Sequence, residues 1–263
     1  MEPLKNISSF ALKRLKAVLF DVDDTITNNG KLTDTAYSAM WKLYRAGLML
    51  IPVTGRPAGW CDMMLRQWPV DAVVCENGAF VFDTDEHGSV RMIKHPLAAE
   101  EPQKKLEAVK QSVLKAFPDI RMAHDQFARI YDAAFDFAED EPKLGMDTAY
   151  AVAALCKGMG AEAKVSSIHV NAWFGGYSKA DMAISYLKEH AGITKIEEEA
   201  IFIGDSPNDE PMFRRFALSA AVSNITKFAD KLEFLPKYIA KSEGGFGFAE
   251  ISERIIQCIG QNK

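Results

Sequence analysis

The sequence contains few cysteines, and their spacing does not indicate disulfide bonds or a shared metal site. There are four among 263 residues, at Cys61, Cys75, Cys156 and Cys258. Their spacing fits neither a disulfide framework nor a Cys-x-x-Cys metal clip. We therefore predict buried thiols in a reducing compartment.

Long apolar runs and a strong excess of either charge are also missing. No run approaches the ~18 apolar residues that a membrane span requires, and Lys13, Arg14 and Lys16 interrupt the stretch that would otherwise resemble a signal-peptide core. The 31 lysines and arginines stand against 36 acidic residues, and this mild acidity argues against nucleic-acid or anionic membrane partners. These absences predict a soluble cytoplasmic protein, and they leave its oligomeric state open.

Short runs that are apolar at every position alternate with helical patterns near both ends of the chain. Such runs are typical of parallel strands covered on both faces. Thr33 is predicted to cap the first of these helices and Gly47 to stop it. The pattern predicts an α/β fold with a parallel sheet. The predicted strands are residues 17–20, 48–53, 71–75, 200–203 and 218–222, and the predicted helices are 33–45, 58–68, 178–190 and 247–259, with the glycine-rich segment 244–247 as a loop.

The middle of the chain predicts a second domain. Between residues 84 and 177, strand–helix–strand modules with some alternation are typical of an α+β domain. We expect it to be inserted into an α/β core of residues 1–83 and 178–263, with hinges near residue 83 and at Gly175-Gly176. Its predicted elements are a hairpin of strands 79–82 and 90–93, helices 98–117 and 146–158, and strands 129–137 and 163–171.

The first predicted strand ends in Asp21-Val22-Asp23-Asp24-Thr25. Open α/β sheets bind ligands at the carboxyl ends of their strands, so Asp21 and Asp23 would face the same ligand. One carboxylate can attack or bind a metal while the other transfers a proton. The alternatives are a solvated acidic turn and a calcium loop. The calcium loop fails because Ile26 stands where it requires glycine.

Three further signals lie beside predicted strand ends or helix starts. Thr54-Gly55-Arg56 can hold an anion through a hydroxyl and a backbone N–H, although an N-cap threonine with a glycine turn would also explain it. Asp205 and Asp209 offer oxygen ligands that suit Mg²⁺, and an acidic helix start is the alternative. Lys179 opens a helix, where a cation is unfavourable unless an anion neutralises it; a surface lysine is the ordinary explanation.

In this order, the four motifs resemble those of the haloacid dehalogenase (HAD) superfamily of phosphoryl-transfer enzymes. The large insertion between the second and third motifs is similar to the α/β cap of subfamily IIB, which includes the Cof-like sugar phosphatases. The segment Cys75-Glu76-Asn77-Gly78-Ala79 resembles that subfamily too. Asp24 departs from the pattern, since many members have glycine there, but aspartate tolerates unusual φ better than most residues. The resemblance implies a Rossmann-like core with a parallel sheet plus an inserted α+β cap.

The resemblance also implies roles for single residues. Asp21 would be the nucleophile that forms an aspartyl-phosphate, and Asp23 would act first as acid and then as base. His169, Asn171 and Trp173, at the end of the last cap strand, are candidate substrate contacts or cap-packing residues. The implied substrate-binding residues are Thr54, Gly55, Arg56, Asn77, Lys179 and Asn208, and the implied Mg²⁺ ligands are Asp21, Asp23 (through its backbone carbonyl), Asp205 and Asp209.

The sequence therefore predicts a Mg²⁺-dependent phosphatase that hydrolyses small organic phosphates, with sugar phosphates as the expected class. Two alternatives stay open. One is a phosphomutase that uses the same aspartyl-phosphate, and the other is a catalytically silent binding protein on the same fold.

Overall fold

The computed structural model describes residues 1–260, which form a parallel sheet flanked by helices and a separate antiparallel sheet. The strands are β1 (Glu2–Pro3), β2 (Ala17–Phe20), β3 (Thr27–Asn28), β4 (Lys31–Leu32), β5 (Met49–Pro52), β6 (Ala72–Cys75), β7 (Phe80–Thr84), β8 (Val90–Lys94), β9 (Arg121–Met122), β10 (Asp132–Asp136), β11 (Glu162–Val165), β12 (His169–Trp173), β13 (Ala200–Gly204), β14 (Leu218–Ala221) and β15 (Tyr238–Ile239). The helices are α1 (Ser9–Leu12), α2 (Asp34–Arg45), α3 (Ala58–Gln67), α4 (Pro102–Ala116), α5 (Met146–Gly158), α6 (Lys179–Glu189), α7 (Ile196–Glu199), α8 (Glu210–Arg215) and α9 (Gly244–Ile259).

The parallel sheet has the strand order β1-β15-β14-β13-β2-β5. A single parallel bridge between Val53 and Val74 continues it to β6. The sheet is covered on both faces: Phe20 belongs to one buried apolar cluster and Leu19 to the other. This confirms the α/β fold, because a strand buried on both sides must be apolar at every position.

The start and end of α2 follow the sequence signals. The Thr33 hydroxyl accepts a hydrogen bond from the N–H of Ala36 at 3.1 Å. Gly47 has φ +83°, a left-handed conformation that ends the helix and that glycine adopts without steric cost. Both predictions are confirmed.

The predicted loop at residues 244–247 is wrong, because these residues form the first turn of α9. A Cβ at Gly245 would lie 2.4 Å from Thr33 Oγ1 and 2.7 Å from the backbone oxygen of Ile26. The glycines therefore allow the helix to begin in direct contact with the chain between β2 and α2. The sequence did not indicate this helix start, because glycine by itself favours a loop.

The inserted segment has its own antiparallel sheet, with the order β11-β12-β10-β9. Its core is a separate apolar cluster that includes Leu106, Phe135 and Val170. The single strand predicted at 163–171 is wrong: β11 and β12 form a hairpin, and the Ser166 hydroxyl in its turn accepts the N–H of His169 at 2.9 Å. The predicted strand 129–137 begins only at β10, because the N–H groups of Ile130 and Tyr131 donate to the Glu76 carboxylate. The predicted helix 98–117 begins only at Pro102.

The hairpin of β7 and β8 extends a sheet of the core. β7 pairs with β6 on one side and with β8 on the other, and Phe80 lies in a core cluster against which Val90 packs. The predicted boundary before residue 84 therefore falls within β7, and it would separate this strand from its partner β8. We propose that the cap begins after Lys94.

The two chain segments that join core and cap lie side by side. Gly175 has φ +133°, and a Cβ on it would lie 2.3 Å from the backbone oxygen of Leu97. The rings of His95 and Tyr177 are 5.6 Å apart. We therefore propose that the first crossing lies near residue 97, whereas the sequence analysis expected it near residue 83.

Candidate active site

Parallel pairing brings the first and last motifs together at one edge of the sheet. Phe20 of β2 is in register with Ile203 of β13, and the N–H of Asp21 donates to the Ile203 carbonyl at 2.9 Å. Asp21 and Asp205 follow these strands at their carboxyl ends. Adjacent strand ends therefore place two carboxylates, 184 positions apart in sequence, side by side.

Three buried carboxylates form the centre of the site. One oxygen from each of Asp21, Asp205 and Asp209 lies within 4.8 Å of the other two. Lys179, the first residue of α6, donates from Nζ to Asp21 Oδ1 at 2.6 Å and to Asp209 Oδ1 at 3.1 Å. With three carboxylates and one ammonium, the ionised cluster carries an excess of negative charge.

Burial, together with this excess of charge, shifts the pKa values of the cluster. Burial raises the pKa of Asp21, and the charge of Lys179 opposes that rise. Burial, followed by the charges of Asp209 and Asp21, raises the pKa of Asp205 well above its usual range. Burial alone would lower the pKa of Lys179, but the two neighbouring carboxylates hold it above its usual value.

The cluster fits the cation that the sequence implied. Its donors are all oxygens, the set that Mg²⁺ prefers over softer metals, and a divalent cation would balance the remaining charge. Neighbouring groups hold the carboxylates in place: the Thr25 hydroxyl donates to Asp205 at 3.1 Å, and Asp209 accepts the N–H of Asp205 at 3.1 Å.

The backbone around the first motif takes the unusual conformation expected of it. Asp24 has φ +57°, and its N–H donates to the Thr27 hydroxyl at 2.9 Å. Asp24 therefore adopts a left-handed conformation, which aspartate tolerates better than most residues.

The second motif lies on the neighbouring strand end. Thr54 is fully buried, and its hydroxyl accepts the N–H of Arg56 at 3.0 Å. Pro57, rather than Thr54, occupies the N-cap position of α3, so capping does not explain the threonine. A Cβ on Gly55 would lie 3.1 Å from Asn77 Oδ1, which leaves little room for any other residue.

Arg56 connects the two domains. Its guanidinium donates to Asp23 from Nε at 3.0 Å and from Nη2 at 2.8 Å. It also pairs with two cap carboxylates, Asp125 at 3.3 Å and Glu139 at 2.9 Å. The sequence implied a substrate contact for Arg56, whereas in this structure its partners are protein carboxylates.

Glu76 makes a second connection, which the sequence analysis missed. Its carboxylate accepts backbone N–H groups from Ala58 in the core and from Ile130 and Tyr131 in the cap, at 3.0, 2.9 and 2.6 Å. Burial first, and then the nearby Asp132 charge, raises the pKa of Glu76 to about 7, while the backbone donors oppose this. The only signal in sequence was its place in the Cys75–Ala79 segment.

Asp132, which is fully buried in the cap, accepts hydrogen bonds from side chains of both the core and the cap. Its Oδ2 accepts the side-chain amides of Asn77 at 3.1 Å and Asn171 at 2.8 Å. Arg129 donates to Asp132 Oδ1 at 3.0 Å and to the Gly55 carbonyl at 2.8 Å. The sequence implied Asn77 as a substrate contact, and here its amide bonds to the cap. Residues 125, 129 and 132 alternate in charge at intervals of four and three residues, a pattern that is also common on exposed surfaces. The sequence therefore showed no sign that these residues are buried.

A small cavity at the proposed catalytic site lies between residues of the core and residues of the cap. It encloses only about 20 Å³, close to the space that one water needs. Trp173 does not reach it, since its ring stacks on Tyr177 at 5.8 Å. The cavity is lined by Asp21, Asp23, Gly55, Arg56, Ser166, Ser167, Ile168, His169, Asn171, Ser206 and Asn208.

Comparison with known proteins identifies the family. The sequence profile described as haloacid dehalogenase-like hydrolase matches residues 18–144 and 161–232, more than half of the chain. The chain belongs to this HAD-like hydrolase family. A search of curated proteins found no match.

Solved structures share the fold of this HAD protein. A Thermoplasma acidophilum protein has a TM-score of 0.71 and 20% identity, over 92% of this chain and 98% of that chain. The sucrose-phosphatase of Synechocystis, solved with sucrose and phosphate, has a TM-score of 0.64 and 16% identity, over 92% and 98%. A sugar phosphatase of HAD subclass IIB has a TM-score of 0.63 and 15% identity, over 94% and 98%. The predicted fold, a Rossmann-like HAD core with a parallel sheet plus an inserted α+β cap, is thus confirmed.

The helices of this HAD protein are short. Within residues 1–260, none of them has the length and apolar character needed to cross a membrane.

Proposed function

We propose that this protein is a Mg²⁺-dependent phosphatase that hydrolyses small organic phosphates, sugar phosphates above all, through an aspartyl-phosphate. One observation carries the proposal. The Asp21 carboxylate lies 2.6 Å from the Lys179 ammonium, within a buried group of three carboxylates. A carboxylate nucleophile needs such neighbours, because a phosphate dianion repels it.

Asp21, Asp205 and Asp209 are the proposed metal-holding side chains, with the backbone carbonyl of Asp23 as a further ligand. When bound, Mg²⁺ supplies positive charge that offsets the repulsion between the attacking carboxylate and the phosphoryl oxygens. Lys179 supplies a second positive charge from the protein itself, and the Thr54 hydroxyl is the proposed contact for a phosphoryl oxygen.

The chemistry proceeds in two displacements. A carboxylate oxygen of Asp21 attacks phosphorus, the bond to the leaving oxygen breaks, and that oxygen keeps the electron pair and takes a proton from Asp23. Water then attacks the phosphorus of the aspartyl-phosphate and gives a proton to Asp23, which restores Asp21 as a carboxylate and releases inorganic phosphate. Each displacement is easier than direct attack by water.

The substrate class is proposed from two observations. The solved structures that share the fold include proteins named as a sucrose-phosphatase and a subclass IIB sugar phosphatase. The cap closes over the catalytic cavity, which favours small soluble substrates over phosphoproteins and nucleic-acid ends. The described cysteines are all free and buried, in keeping with a proposed location in the cytoplasm.

The test is phosphate release across a panel of sugar phosphates, with Mg²⁺ and with a chelator. We expect chelation to stop turnover reversibly. We expect Asp21→Asn to reduce it at least ~10²-fold with an unchanged circular dichroism spectrum, because an amide cannot act as the nucleophile. Asp119→Asn, at an exposed cap position, is the matched control and should leave turnover unchanged.

The same assay separates the alternatives. Residual activity of Asp21→Asn above about a hundredth of wild type would exclude Asp21 as the nucleophile. A phosphomutase would convert one sugar phosphate to its isomer in the presence of a bisphosphate activator while releasing little inorganic phosphate. A silent binding protein would turn over no ester.

A further inference from the structure

Arg56 lies between the residue proposed as general acid and a carboxylate of the cap. Its Nη2 is 2.8 Å from Asp23 Oδ1 and 2.9 Å from Glu139 Oε1. The guanidinium lies over the ring of Trp60, 4.4 Å from its centre. Because the guanidinium is planar and its donors point in fixed directions, partners on several sides leave it one orientation.

The cap holds Glu139 in place independently of Arg56. Its second oxygen, Oε2, lies 2.8 Å from Nε2 of the buried His169. Its backbone N–H donates to Asp136 Oδ1 at 2.8 Å. The hydrogen bond with His169 is the main reason, ahead of the Arg56 charge, why the pKa of Glu139 falls to about 2 although burial opposes it. Glu139 is therefore a fixed anion at neutral pH.

Asp23, Arg56 and Glu139 together form one wall of a cleft beside the catalytic cavity. The cleft has a volume of about 310 Å³, enough for a sugar-sized group. In the proposed reaction Asp23 gives its proton to the leaving oxygen, so the leaving group lies on the Asp23 side of the site. The other residues that line this cleft are Asp24, Thr27, Asn29, Gly30, Ala138, Lys143, Ser167 and Ile168.

We propose that Glu139 is a positioning residue: through Arg56 it fixes the orientation of the Asp23 carboxyl for proton transfer to the leaving group. The proposal rests on the proposed phosphatase function. Asp23 and Arg56 belong to the core and Glu139 to the cap, so the three-residue arrangement is complete only when the cap is closed. Proton transfer is thereby coupled to closure, and an open site holds its general acid without this restraint.

The test is Glu139→Gln, with substrates that differ in their need for a proton. The alkoxide leaving oxygen of glycerol 2-phosphate must be protonated, whereas p-nitrophenolate leaves as a stable anion. We measure kcat/KM because it covers only the steps up to the aspartyl-phosphate. We expect kcat/KM to fall about tenfold or more on glycerol 2-phosphate, which is part of the rate that a general acid contributes. On p-nitrophenyl phosphate we expect kcat/KM to fall less than about twofold.

Glu162→Gln is the matched control. Glu162 is exposed on β11 of the same cap, away from the contacts that hold Arg56. It should leave kcat/KM unchanged on both esters. An equal loss on both esters in Glu139→Gln would indicate a merely structural role and overturn the proposal, and so would no loss on either.

A crystal structure of Glu139→Gln tests the proposal without any activity. We expect the Asp23 carboxyl to leave its two-point contact with Arg56 or to occupy two conformations. Retention of the wild-type contacts at 2.8 and 3.0 Å would overturn the proposal. If the wild type hydrolyses neither ester, the proposed function fails, and this structural comparison still shows whether Glu139 orients Asp23.

Discussion

Lys179 is the residue on which the buried charges of the site depend most. It is 4% exposed and donates to both Asp21 and Asp209. Within residues 1–260, these two carboxylates have no other protein ion-pair partner. The residue pattern marked this lysine as a cation at an unfavourable helix position, and the family resemblance implied a substrate contact. The structure supplies the anions that stabilise it there.

Replacing Lys179 by methionine should lower stability as well as activity. Two carboxylates would remain buried without a counter-charge, which costs about 3–5 kcal/mol when one partner of a buried pair is removed. Urea unfolding in the presence of a chelator at neutral pH measures this cost.

The control is Lys188→Met, at an exposed position of the same helix, which should change the free energy of unfolding by less than about 0.5 kcal/mol. If the two variants were equally stable, the ammonium of Lys179 would contribute nothing to the folded state, and its assigned role in balancing the cluster would be wrong.

At the scale of the elements, the start of α9 depends on Gly245, because a side chain there would collide with neighbouring residues. Gly245 has an ordinary φ, so alanine would adopt its backbone conformation, but the added Cβ would overlap Thr33 Oγ1 and the Ile26 carbonyl. We expect Gly245→Ala to lower the free energy of unfolding by about 1–3 kcal/mol, as overpacking usually does.

For Gly158→Ala, the same substitution at another helix position, we expect the free energy of unfolding to rise instead of fall. Gly158 ends α5, and a Cβ there would meet no atom within 4 Å. Alanine should raise stability by about 0.5–1 kcal/mol, because it restricts the unfolded chain and favours helix. Denaturant unfolding of both variants checks the pair, and the same sign in both would contradict the contact argument.

At the scale of the whole molecule, the closed cap implies a cycle of opening and closing. The catalytic cavity of about 20 Å³ is too small for the phosphoryl group of the proposed substrate, so the proposed function requires the cap to move before substrate binds. Gly59 of α3 and Ala128 of the cap lie so close that a Cβ on Gly59 would be 3.1 Å from that of Ala128. This is slightly below the usual Cβ separation in a disulfide, so a small shift would allow one.

A disulfide between Gly59→Cys and Ala128→Cys should therefore lock the enzyme closed. We expect the oxidised double variant to lose at least about tenfold in turnover, because lid opening is required for entry and release, and dithiothreitol to restore it. Gly59→Cys alone should not respond to the reductant. Full turnover by a protein whose crosslink is verified by mass spectrometry would show that the cap need not open at this contact.

The sequence by itself determined the features that depend on short stretches of chain. Apolar runs fixed strands such as β2 and β13, and hydrogen-bonding side chains such as Thr33 fixed helix starts. Since parallel strands end at a common edge, the polar residues after each run predicted a shared site, and the structure brings Asp21, Asp205 and Asp209 together as that logic requires. Lys179 was expected at this edge through the family resemblance, because the residue pattern alone left a surface lysine as the ordinary explanation.

Only the tertiary structure decided which charges meet across the two domains. Glu76 accepts a backbone N–H 54 positions away, and Arg56 pairs with Asp125, 69 positions away. Nothing in local sequence separates such residues from solvated surface charges, because a carboxylate becomes a buried partner only when a second element excludes water from it. The docking of the cap on the core does this at Arg56 and Glu139, and that packing depends on the whole chain.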